Sequence, residues 1–128
     1  MSVIIIMGSE KDNVFVKRIT GKLSEYKITV NCYISSAHKN TNDVLKILGD
    51  LNTSQKYIII TVAGMSNALS GVVAANTKFP VIACPPFKDN IDMMVNINST
   101  LQMPSKIPVL TILNPENCAL AVKNILEL

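Results

Sequence analysis

Apolar and polar positions fall along this chain in blocks that read as strands and helices in turn. Val3 to Met7 is an unbroken apolar, largely β-branched run, the pattern of a strand covered on both faces. Gly8-Ser9-Glu10-Lys11-Asp12 breaks it, and Val14, Phe15, Ile19 and Leu23 then recur at helical spacing. Ile28 to Ile34 predicts a second strand, and Val44, Leu45, Ile47, Leu48 and Leu51 line one side of a second helix. Tyr57 to Val62 reads as a third strand, and Ala63-Gly64-Met65-Ser66-Asn67 turns into a small-residue helix through Ala68, Val72, Val73 and Ala75. Pro80 to Cys84 is a short fourth strand stopped by Pro85-Pro86, and Asp89 to Leu101 predicts one helix despite its several asparagines. Pro108 to Leu113 reads as a fifth strand, and Pro115 to Leu128 as a last helix with proline in its first turn.

Five strand–helix alternations with no internal linker or repeat predict one α/β domain over residues 1–128. The expected architecture is a three-layer open parallel sheet, five core strands with helices on both faces. Ligands of such sheets collect beyond the carboxyl ends of the strands. The turns after the first four strands are therefore expected to be neighbours, and each carries residues able to do chemistry.

Composition narrows the setting. Apolar residues make up 48% of the 128 positions, too many for a disordered chain. No apolar run is long enough for a bilayer span, and Val3 to Met7 lacks the basic flank and small-residue cleavage site of a signal peptide. A cytoplasmic protein with no membrane partner is expected. Three widely spaced cysteines, Cys32, Cys84 and Cys118, stand in apolar contexts, as buried thiols of a reducing compartment do, and lack metal-ligand spacing. A net charge of +3 with scattered lysines gives no support to nucleic-acid binding but suits a small anionic substrate.

Candidate chemistry centres on Ser35-Ser36-Ala37-His38-Lys39-Asn40, which holds the only histidine. Histidine is the side chain whose ordinary pKa suits proton transfer near neutrality. A solvated loop histidine is the plainer alternative, but this one falls on a strand-to-helix turn. In the first turn, Gly8 permits close backbone approach, while Ser9, Lys11 and Asp12 offer a hydroxyl, an ammonium and a carboxylate at a helix N-terminus, where a phosphate is favoured. Asp12 is equally suited to be an N-cap. The small residues from Ala63 to Gly71 would let a flat ligand reach backbone amides, or merely allow tight helix–sheet packing. Cys84-Pro85-Pro86 reads as a rigid wall in which a cis peptide is one option, and the apolar flanks of Cys84 argue against a reactive thiol. Met93-Met94 reads as core or interface filler.

Five motifs then stand together in order and spacing: Gly8-Ser9…Asp12, Ser36-Ala37-His38-Lys39, Ala63-Gly64…Ser66-Asn67, Pro80-Val81-Ile82…Cys84-Pro85-Pro86 and Gln102-Met103-Pro104-Ser105. With them the chain closely resembles the aminoimidazole ribonucleotide carboxylase/mutase family of purine synthesis (the PurE type), from Val3 to about Leu126. The resemblance implies a flavodoxin-like fold and an enzyme with one of two activities. One branch carboxylates aminoimidazole ribonucleotide at C4 with CO2; the other is a mutase acting on the N5-carboxylated isomer. The mutase branch usually has arginine where Lys39 stands and a second histidine where Ala68 stands. Ser66-Asn67-Ala68-Leu69-Ser70-Gly71 and Cys84-Pro85-Pro86 also look like the carboxylase branch.

For the site, the resemblance implies His38 as acceptor of the C4 proton, with Ser36, Ala37 and Lys39 positioning it and the substrate's phosphate. Gly8, Ser9, Lys11 and Asp12 would bind ribose and phosphate, and the backbone of Gly64, Met65, Ser66 and Asn67 the CO2 or carboxylate. It implies no metal, nucleotide or biotin, and a homo-octamer with sites between subunits, for which Val72, Met93 and Met94 are candidate contacts. Three departures bear on substrate affinity and assembly: Lys11 replaces a usual serine, Met65 a frequent arginine, and family members usually continue beyond the position of Leu128. The rival from another class is a non-catalytic nucleotide-binding module on the same scaffold.

Overall fold

The computed structural model describes residues 2–128. Its five strands form one parallel sheet in the order β2-β1-β3-β4-β5: β1 Ser2–Met7, β2 Val30–Ile34, β3 Tyr57–Val62, β4 Val81–Ala83 and β5 Leu110–Thr111. The helices are α1 Asn13–Glu25, α2 Thr41–Gly49, α3 Leu69–Ala75, α4 Asn90–Asn96, α5 Asn98–Leu101 and α6 Pro115–Leu126, and a 3-10 turn at Glu10–Asp12 leads into α1. This is the expected flavodoxin-like, three-layer α/β architecture.

The apolar run of β1 explains the layering. Its side chains alternate between faces, and both faces are covered. Val3, Ile5 and Met7 pack with Val16, Ile19 and Leu23 of α1 and Cys118, Ala119 and Val122 of α6. Ile4 and Ile6 pack on the opposite side with Val44 and Leu48 of α2 and Leu69 and Val73 of α3. Full burial of one such aliphatic side chain contributes about 1.5–3 kcal/mol, so the central strand anchors both layers.

Register then builds the site. Met7 lies opposite both Ile34 and Val62, so β1, β2 and β3 end level. Backbone bonds from Ser35 N to Met7 O (2.9 Å) and from Gly8 N to Val62 O (3.0 Å) carry the ladder one step further. The chain leaves β1 toward β2 on one side while β3 lies on the other, and the turns after β1 and β3 open into the crevice of that switch point.

Several expected boundaries shift. The second strand begins at Val30 rather than Ile28, because Ile28 N closes α1 by bonding Leu23 O, with Lys27 in the left-handed region (φ 60). The fifth strand shrinks to two residues, since its partner β4 has only three. The expected helix Asp89–Leu101 is interrupted at Ile97. There Thr100 N bonds Ile97 O, and the Asn96 carbonyl accepts the Ser99 hydroxyl instead. Val14 is exposed at 77%, Val16 taking the core position on α1. Cys32, expected buried, is exposed because β2 is an edge strand whose faces are left uncovered. Cys84 and Cys118 are buried as expected.

Candidate active site

Three turns and a fourth wall enclose a cavity of about 690 Å³ lined by residues from Gly8 to Arg18, Ser36 to His38, Ala63 to Leu69, and Pro86 to Asp92. In the first turn, Ser9 Oγ accepts from Lys11 N at 3.4 Å and starts the 3-10 turn. Asp12 occupies the N-cap position of α1 but makes no side-chain capping bond. Its carboxylate stands at the cavity wall rather than on the first turn of its own helix. Burial raises the Asp12 carboxyl above its ordinary value, against the opposing pull of the Lys11 charge and a backbone bond at Ser9.

The second turn is braced by its own hydroxyls. Ser35 Oγ donates to Asn40 O (3.4 Å), Ser36 Oγ accepts from Lys39 N (3.2 Å), and Thr41 Oγ1 donates to Ala37 O. This frame presents His38 across the crevice, where its Nε2 lies 3.1 Å from the Ser66 carbonyl oxygen.

The third turn is built around asparagine and glycine. A Cβ on Gly64 would lie 2.3 Å from the Pro86 carbonyl oxygen, so only glycine lets the third turn and the fourth wall meet this closely. Ser66 takes a left-handed backbone (φ 45), a conformation costing a non-glycine residue about 1–2 kcal/mol. It is held there by the bond from its N–H to Asn96 Oδ1 (3.1 Å). Asn67 is 3% exposed, and its amide is fully engaged. Its Nδ2 donates to Ser70 Oγ (2.8 Å) and Thr100 Oγ1 (2.9 Å), and its Oδ1 accepts from Leu69 N and Ser70 N.

Pro86, Phe87, Lys88 and Asp92 form the fourth wall. Asp92 accepts from Lys88 N (2.9 Å) and from Asn96 Nδ2 (2.7 Å), bonds that hold its carboxyl below the ordinary value, the Lys88 amide contributing most. All peptide bonds of the described residues are trans, so the cis option at Cys84-Pro85-Pro86 is corrected: the wall draws its stiffness from the fixed φ of proline. The Cys84 thiol is pushed far up by its bond to Cys118 and by burial, which leaves it an inert thiol.

Of the residues anticipated, Gly8, Ser9, Lys11, Asp12, Ser36, Ala37, His38, Gly64, Met65 and Asn67 line the cavity. Lys39 and Ser66 do not; Lys39 contributes a backbone N–H to the histidine turn, and Ser66 its carbonyl to His38. Phe15, Arg18, Lys88 and Asp92 line it without having been anticipated. Phe15 and Arg18 are three apart on α1, a spacing that marks one helical face, whereas nothing local distinguishes Lys88 from the other lysines. Arg18 is clamped by Glu116 of α6 through bonds of 2.9, 3.0 and 3.2 Å, which hold the Glu116 carboxyl below its ordinary range. Among the described residues no three His, Cys, Asp or Glu side chains cluster as a metal site, and no helix is long and apolar enough to cross a membrane.

A histidine and charged side chains of both signs around a cleft at the switch point define a small-molecule site of a doubly wound α/β protein. Residues 2–128 match the family model described as AIR carboxylase. The chain is 43% identical, over all 128 residues and 70% of the relative, to the phosphoribosylaminoimidazole carboxylase of Archaeoglobus fulgidus. It is 39% identical to the enzyme of that name from Treponema denticola, covering 98% of this chain and 79% of the relative. The crystal structure of Treponema denticola PurE superposes with a TM-score of 0.88 at 38% identity, covering 98% of this chain and 79% of that one. Against a multifunctional relative from Caenorhabditis elegans, 39% identical, the chain spans 29% of the length. The chain belongs to the AIR carboxylase family.

Proposed function

We propose that residues 1–128 form one catalytic domain that carboxylates aminoimidazole ribonucleotide at C4 with CO2, giving 4-carboxyaminoimidazole ribonucleotide in purine biosynthesis. The observation that carries this reading is His38 at the cavity wall, its ring bonded to the Ser66 carbonyl, with Ala68 where a second proton carrier would stand. The two relatives named phosphoribosylaminoimidazole carboxylase support it.

The aminoimidazole ring is an enamine-like nucleophile. Its C4 forms a bond to the carbon of CO2, and one C=O electron pair becomes carboxylate charge. C4 then carries both a hydrogen and the new carboxylate, and loss of that proton to His38 restores the aromatic ring. The small residues at Ala63, Gly64 and Ala68 leave room for a flat ring against the backbone. Gly8, Ser9, Lys11 and Asp12 take ribose and phosphate, with the α1 N-terminus favouring the anion. Ser36, Ala37 and Lys39 hold the histidine turn, and the Gly64–Asn67 backbone faces the carboxylate. Lys88 adds a cation to a wall where Met65 offers none.

The working form is a cytoplasmic homo-octamer, with the exposed Met94 and the half-buried Val72 and Met93 as contact candidates. The test is direct. Purified protein given aminoimidazole ribonucleotide is expected to form the C4-carboxylated product at a rate that rises with dissolved CO2. Turnover of the N5-carboxylated isomer alone would assign the mutase activity, and turnover of neither would leave a binding module.

A further inference from the structure

We propose that Asn96 is a positioning residue for His38: it holds Ser66 in its left-handed conformation, and the Ser66 carbonyl fixes the imidazole so that Nδ1 is the nitrogen that takes the proton. The role in turnover rests on the carboxylase reading above; the hydrogen-bond relay itself does not.

The relay runs across three elements. Lys88 N and Asn96 Nδ2 both donate to Asp92, at 2.9 and 2.7 Å. Asn96 Oδ1 accepts from Ser66 N at 3.1 Å, and Ser66 O lies 3.1 Å from His38 Nε2. Each link has one permitted polarity. A carboxylate only accepts and a backbone N–H only donates, so the Asn96 amide has a single orientation that satisfies both neighbours. A carbonyl oxygen carries no proton, so His38 Nε2 must be the donor, and in the neutral ring Nδ1 keeps the free lone pair.

Ser66 explains why the relay is needed. A serine at φ 45 is not in its preferred backbone region. Without the Asn96 acceptor its N–H is free to turn away, and its carbonyl then leaves Nε2. Helix α4 ends at Asn96, whose Nδ2 folds back onto Asp92 while its Oδ1 reaches Ser66. Asn96 is absent from the cavity wall, so it acts through Ser66 rather than on substrate.

His38 is the only histidine, so a protein labelled with 15N-histidine reports on this ring alone. The ligand-free wild type is expected to show Nε2 protonated and Nδ1 unprotonated at a pH where the ring is neutral. In Asn96→Ala the two nitrogen signals should move toward each other as the tautomers mix. Its kcat for carboxylation should fall about 10- to 100-fold, as for a misplaced catalytic group, while KM stays within about threefold. A folded Asn96→Ala with an unchanged 15N pattern, unchanged kcat, or a loss confined to KM overturns the proposal. Should Asn96→Ala fail to fold, Asn96→Asp alone, which sets two carboxylates against each other, should lose the wild-type 15N pattern. Asn96→Asp combined with Asp92→Asn, which reverses that bond and keeps the acceptor for Ser66, should retain it; the same pattern in both variants, or loss in both, overturns the relay. A wild type that turns over neither aminoimidazole ribonucleotide nor its N5-carboxylated isomer defeats the functional reading, and the 15N spectra then decide the relay by themselves.

Discussion

The turns after β1 and β3 face each other across one cavity, yet their polar side chains do opposite work. After β1, Asp12 sits at a helix N-cap without capping it, and among the described residues Lys11 makes no salt bridge, its charge acting on Asp12. After β3, Asn67 is buried with its whole amide engaged, Ser66 is tied to Asn96, and Gly64 is in close contact with Pro86. The first turn thus places charged groups at the cavity wall, where burial raises the Asp12 carboxyl. The third turn commits its polar groups to fixing a backbone, and what it presents to a ligand is shape and main chain. One turn offers charge at the cavity wall; the other fixes the carbonyl that meets His38.

Substitutions in the two turns should therefore fail differently. The largest effect is expected at Gly64→Ala, whose new Cβ would meet a backbone oxygen at 2.3 Å. Forcing that contact apart should cost about 3 kcal/mol, the upper end for overpacking, and displace the wall opposite His38. Chemical denaturation together with kcat measures both. Asn67→Ala comes next, leaving Leu69 N and the Ser70 and Thr100 hydroxyls short of a partner in a buried place. A loss of about 1–2 kcal/mol is expected, and a midpoint unchanged in urea would contradict the division of labour.

The smallest stability change belongs to Asp12→Asn, where it should be a gain. A carboxyl whose folded pKa is raised supports folding below its unfolded value and ceases to do so as pH rises through the raised value. At neutral pH the ionised Asp12 is therefore a cost, which asparagine removes. The variant should melt slightly higher at pH 7, with the difference shrinking toward acid, while KM for the ribonucleotide rises. Lower stability together with unchanged KM would make the first turn structural like the third.

The sequence made some of this plain and hid the rest for identifiable reasons. The β1 and β3 runs and the five-fold alternation required a buried parallel sheet, and the strand ends located the histidine turn correctly. The break at Ile97 was illegible, because it arises from Ser99 and Thr100 reassigning backbone bonds within an otherwise helical stretch. Cys32 looked buried from its apolar neighbours, but edge position is decided by strand order, which local pattern does not encode. The asparagines of Asp89–Leu101 weakened the helical reading there, yet Asn96 holds the third turn by accepting from Ser66 N, and Asn67 of that turn is tied to the distant Thr100. Arg18 shares a helical face with Phe15, whereas Lys88 reaches the cavity only through tertiary packing.

The central claim is that one histidine, held by the third turn, carries the C4 proton, and His38→Asn tests it most directly. Asparagine keeps a polar side chain of similar reach but has no group that can accept the proton. With the fold verified, kcat is expected to fall by about 10²–10⁴-fold, the usual worth of general acid–base catalysis. KM should change far less, since the proposal gives ribose and phosphate to the first turn. A folded His38→Asn protein that turns over within a few-fold of wild type would contradict the assignment.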